Sequence, residues 1–349
     1  MWSKKIFFII TLLLPTLILA QATKVLTGLE YPGNLATQNN WLYITESLNG
    51  RIIKIDLNES SPVAATFIDN LNTPIEPVFY KNFLYVSQLD IGVISKIDLS
   101  QSPPQVTEFL SGINGPRDLL VYEDFLYYTV EEDDLIMRVN LLDTVPEPEL
   151  VIDNIDRPWS MTLNDSELYI SLVDENRIVK IDLLDTNNSI TDVIIDVESP
   201  VGLCIRDTEL FYIEFDSNRV CKINVNLPEP KCQELLGDIV GPADLVVHNN
   251  NLYVTEFFRG NLLKLGLGNE AIAEKYNLNK INLYPNPSSN YLYFQGHTSP
   301  IKYSILTLEG KEILQGFCNS NGKINLQKLS KGNYLLQLES GQVLPFSKE

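Results

Sequence analysis

Four carboxylates are the groups best able to do chemistry in this chain: Glu30, Glu76, Asp118 and Asp244. Asp118 follows Glu76 by 42 residues, Asp244 follows Asp118 by 126, and each of the three stands two residues past a proline. Oxygen ligands that a fold gathers in one place suit Ca²⁺, which takes carboxylates and carbonyls in flexible geometry. Calcium is therefore the candidate cofactor, with metal-assisted hydrolysis or elimination as the chemistry. The competing reading is that these acids hydrogen-bond exposed backbone at strand ends and pair with arginines, as surface charge commonly does. Histidine chemistry is a poor fit. His248 and His297 are the two imidazoles, and neither falls where a zinc site or a Ser-His-Asp triad would need one. No phosphate-cradling glycine loop occurs.

The recurrence at 42 identifies the elements that must position these acids. LYITESLNGRIIKID (42–56) returns almost verbatim as LYISLVDENRIVKID (168–182). Leu-Tyr stands at Leu42, Leu84, Leu126, Leu168 and Leu252, with Leu210-Phe211 in the remaining slot. Pro32, Pro74, Pro116, Pro158, Pro200 and Pro242 precede them by ten residues, and Lys54, Lys96, Arg138, Lys180, Lys222 and Lys264 follow at a fixed offset. Six copies of three markers without an insertion indicate a repeat architecture. Runs such as DLLVY, LYVT and RIVKID, separated by Asn, Asp, Gly and Pro, carry strand and turn chemistry. Four short antiparallel strands per 42 residues match one propeller blade. The last unit lacks its fourth run, and VLTGLEYP (25–32) supplies one at the other end of the chain. The expected fold is all-β: a six-bladed β-propeller over about 25–267, closed by its N-terminal strand, with no open sheet edge at the seam.

Features present in all six copies are read as architecture, with the six basic residues laying their stems over the neighbouring blade. Function is expected where copies differ, at the channel mouth. Two residues past proline stand Asn34, Glu76, Asp118, Ser160, Gly202 and Asp244; fourteen past stand Glu46, Gln88, Val130, Leu172, Glu214 and Glu256. The expected ligand-binding set is Asn34, Glu46, Glu76, Gln88, Asp118, Arg117, Trp159, Glu214, Asp244 and Glu256, near Phe257 and Phe258. The expected metal set is Glu30, Glu76, Asp118 and Asp244.

Charge and composition divide the chain. Residues 1–22 have Lys4 and Lys5, an apolar run and Ala20-Gln21-Ala22, the pattern of a secretory signal. The last 73 residues contain no Asp, and seven Lys against four Glu give them +3. Discounting Lys4 and Lys5 takes the net charge from −19 to −21, so residues 23–276 carry −24. The expected divisions are a signal peptide (1–22), the propeller (23–268), a linker (269–276) and a C-terminal domain (277–349). A body this acidic disfavours nucleic acid, whose phosphates need Lys and Arg. It leaves cations, neutral glycans or basic proteins as partners. Export permits disulfides, and Cys221 and Cys232, flanking NLPEP, are expected to pair. Asn58, Asn164 and Asn187 open N-glycan sequons, a pattern common by chance.

The blade phrase, LYIS followed by NRIVKID, resembles NHL-repeat, YWTD and gluconolactonase-type six-bladed propellers. That resemblance implies a fold hosting both enzymes and binding modules. The gluconolactonase-type enzymes imply a divalent metal in the channel, with an Asn or Asp directly after a blade's proline and a glutamate to which Glu30 is similar. Here that slot holds Gly33, Ile75, Arg117, Trp159, Val201 and Ala243, none a side-chain metal ligand. INLYPNPSSNYLYF (281–294), YSILTLEGKEIL (303–314) and INLQKLSKGNYLLQLESG (324–341), with Lys348, resemble the type A C-terminal sorting domain of bacterial type IX secretion. The sorting marks are Tyr284, Pro285, Asn286, Pro287, Gly332 and Tyr334. Their alternating runs predict a small β-sandwich. The expectation is a secreted or surface-exposed monomer that passes through the periplasm and outer membrane, partnered by the type IX machinery. Its propeller is expected to bind an extracellular protein or glycan; the alternative is a calcium-dependent, lactonase-like hydrolase or lyase.

Overall fold

The computed structural model describes residues 22–185, 189–267, 283–284, 288, 290–294, 301–307, 311–318, 323–338 and 343–348. The signal up to residue 21, the linker 269–276, Asn187 and the Pro285-Asn286-Pro287 step lie outside these residues. The chain divides into two compact units, 1–266 and 267–349.

In the first unit the repeats fold into six four-stranded antiparallel sheets. Their innermost strands are Pro32–Gln38, Pro74–Tyr80, Pro116–Tyr122, Pro158–Asn164, Pro200–Arg206 and Pro242–His248. Each packs beside the next, and Pro242–His248 returns to pack beside Pro32–Gln38, so the sheets form a closed β-propeller. The leucine of each Leu-Tyr step is fully buried in the layer between adjacent sheets. The hairpin after every innermost strand turns through a left-handed residue: Asn39, Lys81, Glu123, Asp165, Asp207 and Asn249. Such turns match the twist of the flanking strands.

The N-terminal strand Thr23–Thr27 is the outer strand of the last sheet and runs antiparallel to Asn261–Gly266, with Thr23 opposite Lys264 and Thr27 opposite Asn261. Leu29 N–H then donates to the Gly260 carbonyl at 2.9 Å. The other five blades make the equivalent bond within continuous chain, as in Leu71 to Gly50 at 2.8 Å and Ile113 to Gly92 at 3.0 Å. Gly260 is left-handed, and a Cβ there would lie 2.1 Å from the Leu29 carbonyl oxygen. The seam therefore copies every other blade. Val25, Leu26 and Leu29 pack on the core that joins Tyr253 and Leu262 to Leu35, Leu42 and Ile53.

The six basic residues differ from expectation in one respect: they lie over their own blade. Each pairs across strands with the aromatic of the Leu-Tyr step, Tyr43 with Lys54 through Tyr253 with Lys264. Lys54 sits over Trp41 and Phe67 (4.7 and 4.8 Å), and Lys96 over Phe83 (4.0 Å). Residues directly opposite on neighbouring strands are close enough to interact, and aromatic faces attract a cation. Cys221 and Cys232 form a disulfide with a Cα–Cα distance of 5.4 Å, joining the third strand of the fifth sheet to the residue directly before its outer strand.

In the second unit, Leu283–Tyr284, Tyr291–Phe294 and Lys323–Asn325 form one sheet; Glu312–Cys318, Ile301–Leu306, Gly332–Leu338 and Val343–Lys348 form another. Leu292, Ile305, Ile324, Leu326, Leu336 and Phe346 make a buried core drawn from both. Tyr334 stacks on Phe346 (5.7 Å), and its hydroxyl donates to the Ser330 carbonyl at 2.9 Å.

If the seam holds the ring closed, a chain that begins at Leu29, without residues 23–28, exposes the edge of Asn261–Gly266 and loses part of the core between first and last blades. Its melting temperature is expected to drop by 10 °C or more, or its single transition to broaden. A truncated chain that melts like the full one would refute this account of the seam.

Candidate functional site

Each innermost strand breaks register with its neighbour directly after the proline. Pro32 pairs with Glu46 but Leu35 with Ile44, and the same extra residue recurs in all six sheets. A β-bulge of this kind leaves one amide without a ladder partner. Here a buried hydroxyl thirteen residues past the proline accepts it. Asn34 N–H donates to Thr45 Oγ1 (2.9 Å), Glu76 to Ser87 Oγ (3.0 Å), Asp118 to Thr129 Oγ1 (2.9 Å), Ser160 to Ser171 Oγ (3.0 Å) and Asp244 to Thr255 Oγ1 (3.1 Å). Three of these hydroxyls also donate to the following blade: Ser87 to the Arg117 carbonyl (2.6 Å), Ser171 to Val201 (3.0 Å) and Thr255 to Gly33 (2.8 Å). A Ser or Thr at five of six positions 42 apart was a readable signal for these ties.

The side chains two past proline face the channel and mostly tie one blade to the next. Asp244 accepts Leu35 N–H (2.8 Å), Asp118 accepts Met161 N–H, and Ser160 accepts Leu203 N–H (3.2 Å). Between the first two blades the equivalent residue is Pro77, which has no N–H to offer, and Asn34 instead donates its side-chain amide to Glu76 Oε2 at 2.7 Å. Burial raises the carboxyl of Asp118 to about 7 and that of Asp244 to about 8. Glu76 is lifted well above the usual carboxylate range, by burial first and then by the charges of Asp118 and Asp244. Three acids thus sense one another inside the channel.

The polar residues fourteen past proline bond to backbone at the strand ends. Glu46, Gln88, Glu214 and Glu256 are buried between strands, where each accepts the amide two residues before its blade's proline: Glu30 (2.8 Å), Asn72 (2.5 Å), Glu198 (3.5 Å) and Val240 (3.2 Å). Arg51, Arg219 and Arg259 pair with Glu46, Glu214 and Glu256. These side chains hold the loop that leads into each blade, which is the competing reading of the sequence.

What lines the mouth is the residue directly after each proline. Gly33, Ile75, Arg117, Trp159, Val201 and Ala243 meet Asn34, Ser47, Leu48, Thr73, Phe215, Phe257 and Phe258 around a concavity of about 270 Å³. The Arg117 guanidinium lies 3.5 Å over the Trp159 ring and pairs with Glu131, which also takes Arg157. Tyr31, Phe257, Phe258 and Phe215 continue as an arc of ring contacts at 5.3, 5.3 and 6.5 Å. Phe258 is 62% exposed. Of the ligand set read from sequence, Asn34, Arg117 and Trp159 line this concavity; Glu76, Asp118 and Asp244 lie in the channel. Leu48, Ile75, Val201 and Phe215 are lining residues outside that set.

The four acids read as metal ligands are not drawn into one cluster. Glu30 is exposed on the loop before Pro32 and accepts the side-chain amide of Asn49. Among the described residues, the one group of three ligand atoms within 4.8 Å of one another is Glu214, Cys221 and Cys232, whose sulfurs are joined to each other.

Residues 282–348 match the family described as a secretion system C-terminal sorting domain. That domain marks proteins exported by the type IX system to the cell surface or extracellular space, and this chain is one of them. No curated protein matches the chain. Its fold is similar to that of a catalytically inactive virginiamycin B lyase from Staphylococcus aureus with quinupristin (15% identity, 68% of this chain and 81% of that one, TM-score 0.52). It is similar also to a luciferin-regenerating enzyme (13%, 71% and 96%, 0.59) and to an auxiliary nutrient binding protein from Bacteroides thetaiotaomicron (11%, 68% and 69%, 0.58). At these identities the likeness is one of fold.

Raised carboxyls make stability depend on pH in a definite direction. Between the unfolded pKa near 4 and the folded values near 7 and 8, the native state binds more protons than the unfolded state. Stability is therefore greatest at the acid end of this window and falls as pH rises, by up to about 1.4 kcal/mol per pH unit for each group still protonated. The melting temperature is expected to drop between pH 5 and 8.5, and Asp244→Asn, which keeps an acceptor for Leu35, to flatten that drop. Equal slopes in the two proteins would contradict the assignment, whereas wild-type flattening by millimolar calcium would mark a cation held by these acids.

Proposed function

We propose that the exported propeller, whose repeats are of NHL type, is a binding module that takes a protein or glycan ligand at its channel mouth. In this reading residues 1–22 are removed as a signal peptide and the C-terminal domain engages the type IX machinery. The carrying observation is the aromatic wall: Trp159 backed by Arg117, with Phe215, Phe257 and Phe258 beside it. Rigid aromatic side chains offer large contact area at small entropic cost and dominate recognition sites. The concavity's wall, among the described residues, contains no carboxylate, imidazole or thiol, so its side chains suit contact better than proton transfer. Calcium chemistry in the channel is the second reading, supported by the three mutually sensed acids Glu76, Asp118 and Asp244.

The test uses Trp159 as its own reporter, since the only other tryptophan beyond residue 22 is Trp41. In a Trp41→Phe background, peptides and oligosaccharides are screened for quenching of the remaining indole. A hit is expected to lose at least tenfold in affinity with Phe258→Ala, about the effect of removing one aromatic anchor. Binding indifferent to Phe258→Ala and to Trp159→Ala, measured by calorimetry, would move the site elsewhere. Turnover of a lactone or ester abolished by Asp244→Asn would favour the enzyme.

A further inference from the structure

We propose that the mouth is built for a protonated amine carried on an apolar body; this deepens the reading of the mouth as ligand site and rests on it. The wall supplies the apolar half through Ile75, Trp159, Val201, Phe215, Phe257 and Phe258. Aromatic faces are themselves favourable to ammonium groups. The polar half is set by Asn34, the wall residue that reaches into the channel. Its side-chain nitrogen donates to Glu76 at 2.7 Å, and the amide also carries a carbonyl oxygen able to accept from a ligand. Behind it Glu76 is half-buried, and Asp118 and Asp244 follow within electrostatic reach of it. An ammonium brings three donors and no acceptor, which suits an amide oxygen backed by carboxylates. A carboxylate or phosphate at the same depth would meet repulsion.

Arg117 is the one cation in the wall among the described residues, and two observations remove it as a rival anchor for anions. It is paired with Glu131 and stacked on Trp159, with its side chain only 14% exposed. At longer range the charge of −24 on residues 23–276 draws cations toward the molecule.

The experiment compares phenethylamine, phenethyl alcohol and 3-phenylpropionate on the full mature chain, following Trp159 in the Trp41→Phe background. The amine is expected to bind at least tenfold more tightly than the alcohol at pH 8, with the carboxylate weakest. Glu76→Gln, which keeps an acceptor for Asn34, is expected to reduce that advantage threefold or more without changing the affinity for the alcohol. Alcohol or carboxylate binding as tightly as the amine would overturn the amine assignment and leave the mouth as the site. Absence of quenching by all three would overturn both. Should Glu76→Gln fail to fold, the wild-type ranking of the three probes still decides. A lysine-containing peptide tested against its Nε-acetylated form then separates a protein-borne amine, which loses binding on acetylation, from a free small amine, for which both peptides stay silent.

Discussion

A register break directly after each proline is the constraint from which the rest of the propeller follows. The extra residue turns the chain from the loop into the channel, and it strands one buried amide in every sheet. An unpaired buried amide costs about 1–3 kcal/mol, and six such sites would strain a domain of ordinary stability. The hydroxyl thirteen residues on removes that cost in five of the six sheets. Because it can also donate, it reaches the neighbouring blade, as Ser87, Ser171 and Thr255 do. The acids two past proline add a second ring of ties. Local satisfaction and blade-to-blade order thus come from the same few side chains, and Thr23–Thr27 closes the circle they define.

The architecture was legible because it depends on periodicity, which sequence displays directly. Pro, Leu-Tyr and a basic residue at intervals of 42 announce equal units, and the absent fourth run after Leu267 points to an N-terminal strand at the seam. Which side chains face the ligand was less legible, for a definite reason. Counting by twos from proline assumes an unbroken pleat, yet a one-residue bulge shifts which face a side chain takes. The mouth accordingly belongs to the residue directly after proline. Of those six, Arg117 and Trp159 were read as part of the ligand set, and the other four were noticed only as unable to bind a metal.

Carboxylates were the most visible residues and the easiest to misplace. Glu46, Glu214 and Glu256 recur at repeat spacing near a channel, which resembles a converging ligand set. Their oxygens are instead spent on the amides and arginines at strand ends. The two sets differ in what surrounds the charge. Where an arginine pairs with the acid, the charge is balanced locally. Asp118, Asp244 and Glu76 have backbone amides or Asn34 for company and sense one another through the channel, so desolvation raises their carboxyls. Sequence spacing alone does not distinguish these environments.

The same reasoning explains why variation collects where it does. On the innermost strand the side chain two past proline mostly ties blades and the third packs in the core; on the neighbouring strand, those thirteen and fourteen past proline complete the bulge and hold the loop. The side chain directly after proline carries none of these duties except at Arg117, which pairs with Glu131. Gly33, Ile75, Arg117, Trp159, Val201 and Ala243 accordingly differ in size, polarity and charge while their backbones superpose in role. A ring built from repeats keeps its packing leucines and most of its bulge hydroxyls alike where copies touch one another. It differs most freely where each copy touches something else, and here that place is an aromatic concavity set above acids.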